Sequence, residues 1–532
     1  MRRRWLSLAV AAASTVMAGA ADAQSTLRVA VTADARGLGH ASPTLTQVPL
    51  IHGFLIYDQL FALDAAGRPR PQMADAHHIS ADGLLHRITL REGLLFHDGQ
   101  AVRAADAAAS LERWMRGTQI ALPLASATAA IDVVDERTFV IRLSRPYAPV
   151  AELLANRTPS AAFIRPERVE RRPAGAGLND ATGSGPFISS LREATAGRRP
   201  LNTRDGVPRL AYTRNALYRP RGEAPDGLAG GKQALVDRIE LLPFAVPAEA
   251  VSALRAGEVD VLEQVPIDQV GVLDQDRGIR LLAVNPAGFM VQLNVNHAQP
   301  PFDRQEARQA LLHLISQQAV VQAIGVRPSE QVPYCPAFFF CGTSSESASG
   351  AQGLREVNID RAQELLRAAG YAGQPVVLVN SVDVSVIDSA ARIVVENLRR
   401  AGLNLDVRNL GWFDAMRLRS RREPAEQGGW SLSIDLASSV TQDSPLSNLR
   451  LGCEVRLPGW LCDQPMEDLR RSWWEAYDPA RRQEILHRMQ ARAYEVVPHI
   501  NAGQFRTLAA HRATIEGLRP TTVLVFWGVT KR

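Results

Sequence analysis

Ile359–Trp412 reads "IDRAQELLRAAGYAGQPVVLVNSVDVSVIDSAARIVVENLRRAGLNLDVRNLGW". Its apolar spacing changes three times, giving helix, strand, helix, strand. "VVLV" is the first of its two strands. In the second helix Val386, Ala390, Ile393, Val394, Asn397 and Leu398 fall on one stripe, the pattern of a helix laid on a sheet. The crossover from "VVLV" to "LDV" is long enough to join parallel strands. This βαβ unit makes the fold class α/β.

The same alternation extends in both directions. "GFMVQLNVNHAQPPFDRQEARQALLHLIS" (Gly288–Ser316) reads as strand, proline-marked turn and helix, so a new unit begins near residue 285. Asp478–Pro479 opens a helix with Ile485, Met489, Ala493 and Val496 on its buried side. "HINAGQF" and "VLVFW" are strand-like and need a sheet to join. In the first half, "STLRVAV" is a strand with Leu27, Val29 and Val31 on one face. "LREGLLFHDGQAVRAADAAASLERW" (Leu90–Trp114) bends at Asp98–Gly99, a strong turn pair, and Asp106 is expected to N-cap the helix that follows. His97–Asp98 sits at that bend with no serine or metal partner nearby, so it reads as a corner. "ALRAGEVDV" is a helix stopped by Gly257, then a strand.

A chain of 532 residues exceeds what one core supports, and its 46% hydrophobic and 22% charged residues suit a globular protein. Lys232 and Lys531 are the only lysines. The arginines interleave with acids, which argues against a nucleic-acid surface. Residues 1–23 combine Arg2–Arg4, a short apolar run and Ala21–Asp22–Ala23, the pattern of a secretory signal cleaved near Ala23. Without three arginines and one aspartate the formal net charge falls from +5 to +3. The segment has no cysteine to carry a lipid anchor. Neither Cys335/Cys341 nor Cys453/Cys462 has the spacing of a structural zinc site, and in an oxidising compartment two short-loop disulfides fit them better than free thiols. No H-E-x-x-H, G-x-S-x-G or P-loop occurs, and no cofactor or metal is expected. "TGSGPF" (Thr182–Phe187) is open to two readings, an anion cradle or a glycine turn.

Several motifs stand in a recognisable order. They are Leu90–Trp114, "GSGPF" at Gly183–Phe187, "ALRAGEVDV" at Ala253–Val261 and "PPFDRQEARQAL" at Pro300–Leu311. "AQELLRAAGYAG" at Ala362–Gly373 and "AYEVVPHINAGQF" at Ala493–Phe505 follow. The series resembles the extracytoplasmic solute-binding proteins of ABC transporters, family 5, the dipeptide/oligopeptide/nickel-binding type, from about Leu27 to Trp527. The resemblance implies a two-lobed periplasmic-binding-protein fold with an inserted subdomain and two hinge crossovers, near Phe289–Asn296 and Val497–Phe505. Lobe I would span 24–285 with the insert at about 65–185, and lobe II 286–500. Residues 501–532 would return to lobe I as strands.

The implied protein is a monomeric periplasmic receptor, not an enzyme and not lipid-anchored. It would capture a peptide or peptide-like solute between its lobes and deliver it to the permease subunits of an inner-membrane ABC importer. Peptide-binding relatives hold the ligand's amine with an aspartate in a tryptophan-containing loop and oppose its carboxylate with an arginine. In the matching region, Asn409–Pro445, the candidates are Trp412, Trp430, Asp435 and Asp443, joined by Tyr57 and His52 from lobe I. The D-P-D motif of peptide binders is replaced by "TQDSP", which leaves room for an oligosaccharide, an amino-acid conjugate or a metal complex. A secreted hydrolase is the rival from another class.

Overall fold

The computed structural model describes residues 25–31, 48–173, 180–190, 210–244, 246–453 and 457–532. The expected signal segment, 1–23, lies outside them.

The βαβ unit forms as its pattern requires. Strands Val376–Ser381 and Leu405–Leu410 pair in parallel, with Val376 opposite Leu405, and helix Ser385–Arg400 crosses between them. Its buried stripe runs Val386, Ile387, Ala390, Ala391, Val394, Asn397 and Leu398, and Ile393 is half-buried. These strands are one flank of an eleven-stranded sheet. At the other flank, Thr26–Val31 is parallel to Arg238–Pro243 and to Val261–Leu262.

Two long antiparallel strands, Ile279–Val295 and His499–Arg512, run through both flanks and hold them together. Each flank has its own apolar core. One contains Leu27, Phe54, Tyr212 and Trp527; the other contains Leu293, Leu311, Leu378 and Phe505. These two cores, joined by two strands, make two lobes, and a third core is shared between the subdomain and lobe II, where Phe96, Tyr147 and Leu153 pack with Phe338, Met466, Trp474 and Leu486.

The pairing of the long strands breaks between Val284–Thr507 and Phe289–Phe505, so Asn285–Gly288 stands opposite Arg506 alone. Here the backbone turns left-handed at Asn285 (φ 57°) and Gly288 (φ 72°), and Pro286 has no N–H to pair. The crossover is therefore Asn285–Gly288 with Arg506. It lies beside the expected stretches Phe289–Asn296 and Val497–Phe505, which are rich in strand formers and pair with each other inside lobe II.

The inserted subdomain is a four-stranded sheet, in the order Ala74–Ile79, Leu85–Leu90, Thr138–Leu143, Thr128–Val133, covered by helix Ala104–Gly117. Asp106 is at the third helical position and not at the N-cap. Its carboxylate accepts from Arg103 N at 2.8 Å, so it closes the first turn backwards. His97 is a corner that also joins the subdomain to lobe I. Its N–H donates to Gly183 O at 2.8 Å, and Nδ1 accepts from Gly183 N at 3.2 Å. "TGSGPF" is a close backbone crossing, because a Cβ on Gly183 would stand 1.8 Å from Ile56 O.

The strand expected at Val523–Trp527 is absent. The segment is buried among lobe I side chains but irregular; the terminal strand is Thr530–Lys531, paired to Ile515–Glu516. Burial, rather than a ladder, explains its apolar composition.

Candidate functional site

The hinge carries the first elements of the site. Asn285 donates through Nδ2 to Gly288 O at 2.8 Å, and its Oδ1 accepts from Ser439 Oγ at 2.5 Å. Ser439 starts the short helix Ser439–Gln442, capped by Ser438, whose Oγ accepts from Val440 N. Asp443 follows at its end, and Ser447 Oγ donates to Asp443 Oδ1 at 2.9 Å. The hinge residue thus fixes the turn that aims Asp443.

Opposite stands the subdomain. After helix Val150–Leu154, Asn156 Oδ1 accepts from Thr158 N and Oγ1, and this turn points Arg157 at lobe II. Arg157 Nη2 donates to Asp443 Oδ2, with side chains only 15% and 17% exposed. A second pair is parallel to it. Arg482, on helix Pro479–Val496, donates to Glu152 Oε1 at 2.8 Å, and its guanidinium lies 3.9 Å from the Trp473 ring centroid. On the lobe I rim, Asp64 accepts from the N–H groups of Ala66 and Arg68 and from the guanidinium groups of Arg68 and Arg70. Burial pushes the Asp64 carboxyl up, but those bonds outweigh it and hold it below the usual carboxylate range.

Between these walls lies a cavity of about 710 Å3. Lobe I, the subdomain, the hinge and lobe II all line it. Glu152, Arg157, Asp443 and Arg482, with Asp64 and Arg68 of the lobe I rim, supply three charges of each sign. Six hydroxyls of lobe II, on Thr343, Ser344, Ser345, Ser439, Ser444 and Ser447, form one wall, with Leu446, Leu486 and Trp473 beside them. Thr343–Ser345 follow the Cys335–Cys341 disulfide, whose sulfurs are 2.15 Å apart; Cys453 and Cys462 are bonded likewise. Phe338, Phe339 and Phe340 inside the first disulfide loop are buried in core. Among the described residues no group of three His, Cys, Asp or Glu could hold a metal ion.

Of the six side chains singled out from sequence, Asp443 lines the cavity. Trp430 is fully buried beneath lobe II, tilted against Trp460. Trp412 opens helix Trp412–Arg419, its N–H held by Asp383. Asp435 faces Gln292 across the sheet and pairs with Arg419 at 2.8 Å. His52 Nδ1 lies 2.9 Å from Tyr212 Oη, and burial pushes its pKa down to about 4. Tyr57 leans on Phe163. These five are outside the cavity. Arg157, Glu152 and Arg482 escaped sequence reading, because each is an ordinary charged residue on a helix or loop and only the fold brings them together.

The family model of the bacterial extracellular solute-binding proteins, family 5, matches residues 68–450. The chain belongs to that family. Family 5 proteins bind solutes and are not enzymes. A protein of Sinorhizobium fredii named "Probable peptide ABC transporter periplasmic-binding protein y4tO" is 32% identical over 92% of this chain and 90% of its own length. The glutathione-binding protein GsiB of Salmonella typhi is 27% identical over 75% of this chain and 72% of its own. Among solved structures, a dipeptide-binding protein from Pseudoalteromonas in complex with Met-Leu superposes with a TM-score of 0.75 at 17% identity, covering 95% of this chain and all of its own. This family 5 protein therefore has the two-lobed binding-protein fold. No helix among its described residues is long and apolar enough to cross a membrane.

Proposed function

We propose that this protein is the exported, periplasmic receptor of an ABC importer and captures a short peptide or peptide-like conjugate in the inter-lobe cavity. The carrying observation is the Arg157–Asp443 pair, an opposite charge from each lobe meeting across the cavity. A zwitterionic solute offers both partners at once. Its ammonium takes Asp443 from Arg157, and its carboxylate takes the freed Arg157 or the neighbouring Arg482. Lobe closure removes water, and each charge-assisted bond strengthens in the drier site. The volume is within the range of small-molecule sites, roughly 300–1,000 Å3. The names of y4tO and of the Met-Leu complex agree with a peptide, and GsiB with a peptide-like conjugate. Delivery to permease subunits, cleavage near Ala23 and action as a monomer belong to the same reading.

The hydroxyl wall supports a second reading, an amino-acid conjugate with hydroxyl groups of its own, since polyols exchange hydrogen bonds readily with Ser and Thr. Calorimetry with di- to tetrapeptides, their N-acetylated and C-amidated forms, and hydroxylated amino-acid conjugates tests both. Free peptides are expected to bind, with about tenfold or greater loss on blocking either end. Equal affinity for free and doubly blocked forms contradicts the zwitterion reading, and a preference for hydroxylated conjugates replaces the first reading with the second.

A further inference from the structure

The lobes also meet away from the cavity. Tyr477 is in the link between helices Gln464–Glu475 and Pro479–Val496 of lobe II and reaches the hairpin tip at Gly83 of the subdomain. Its Oη donates to Gly83 O at 3.0 Å and lies 3.3 Å from His86 Nε2. His86 Nδ1 in turn lies 3.0 Å from His77 Nε2. One assignment satisfies the whole row. His77 donates to His86, His86 donates to Tyr477, and Tyr477 donates to Gly83. The contact is close: a Cβ on Gly83 would stand 2.7 Å from the Tyr477 ring. Nearby, Ala148 N–H donates to Trp474 O at 2.6 Å, and the rings of Tyr147 and Trp474 pack at 6.0 Å, both buried. Gly83, His86, Tyr147, Trp474 and Tyr477 are all outside the cavity lining.

A solute that binds the closed arrangement has its apparent affinity scaled by the fraction of protein that is closed. Contacts that exist only when the lobes meet, and that touch no solute, change that fraction by the same factor for every ligand. We propose that Tyr477 on Gly83 and His86, with Trp474 on Tyr147, forms a latch that sets the closure equilibrium, making Tyr477 an affinity-determining residue remote from the solute. The inference rests on reading the cavity as the solute site. The latch holds the lobes whether or not a solute is present, so its test separates from that reading.

The test compares the full-length wild type with Tyr477→Phe, which keeps the ring and loses its hydroxyl, and Gly83→Ala, which pushes the ring away. Small-angle X-ray scattering of solute-free protein gives the average lobe opening, and calorimetry gives affinity for three unlike peptides from the binding panel. Both variants are expected to show a larger radius of gyration without solute and to regain the wild-type value at saturation. Tyr477→Phe is expected to weaken all three peptides by a common factor of about 3 to 10, the worth of one or two hydrogen bonds. Unchanged scattering overturns the latch, whether or not the melting temperature falls. Losses that differ among the peptides overturn it too, because they place Tyr477 in the solute's own contacts. Should no peptide bind, the solute reading fails and the solute-free scattering decides the latch by itself.

Discussion

Asp443→Asn removes one charge from the cavity and leaves its shape. The carboxylate now holds Arg157 and accepts from Ser447 Oγ, and asparagine keeps an oxygen for the serine. Arg157 is then left largely buried opposite a neutral group. Breaking a fully buried pair costs about 3–5 kcal/mol and an exposed one up to about 1. With side chains 15% and 17% exposed on a cavity wall, about 2 kcal/mol of stability is expected to go. Binding gives the sharper readout. A hydrogen bond from a charged ammonium to a carboxylate contributes about 1.5–3 kcal/mol, part of which is already met by Arg157 in the empty protein. The net gain is about 1.4 kcal/mol, a tenfold preference for a free over an N-acetylated peptide. In the Asn variant that preference is expected to shrink to about two- or threefold. Calorimetry of both peptides against both proteins measures the coupling directly. A tenfold preference surviving in Asp443→Asn refutes the assignment of the ammonium to this side chain.

Other consequences are equally concrete. Gly288→Ala places a Cβ 2.1 Å from Phe505 O at a positive φ, so a loss of at least about 2 kcal/mol is expected in urea unfolding. Asp58→Ala strands the fully buried Lys232, whose Nζ lies 2.5 Å from the carboxylate, and is expected to cost about 3–5 kcal/mol in the same assay. Acid should weaken the fold through its buried histidines. Burial pushes His86 down to about 4 and His499 to about 3, so the folded chain keeps both neutral while the unfolded chain protonates near 6.5. The unfolded state then holds more protons, and this part of the stability is full above pH 6.5 and lost as pH falls through 4 and then 3. Urea melts at pH 7, 5 and 4 are expected to show a loss of a few kcal/mol across that window, and a flat profile contradicts the neutral burial.

What the sequence made legible is what local pattern controls. The stripe from Val386 to Leu398 needs only a period near 3.6, and Gly257 stops its helix at φ 77° as the punctuation implies. His97–Asp98 reads correctly as a corner, since Asp98 Oδ1 accepts from Gln100 N within the turn. Long-range arrangement is where reading stops. Asp106 shows its carboxylate in sequence but not whether it caps forward or closes the turn backward. Val523–Trp527 has a strand's composition, and its burial comes from the lobe I core rather than from a partner strand. The four charges that pair across the cavity come from the subdomain helix, its following loop, the turn after Ser439–Gln442 and helix Pro479–Val496. No local spacing announces that Glu152, Arg157, Asp443 and Arg482 meet. Tryptophans draw attention in a sequence because they are rare, yet Trp430 fills the interior of its own lobe.

The central claim is that two bodies hinged at Asn285–Gly288 and Arg506 shut on a solute. Small-angle X-ray scattering of the wild-type protein, titrated with a peptide that calorimetry shows to bind, tests it most directly. The radius of gyration is predicted to fall in a saturable curve with the calorimetric midpoint. A constant radius through full occupancy contradicts the account.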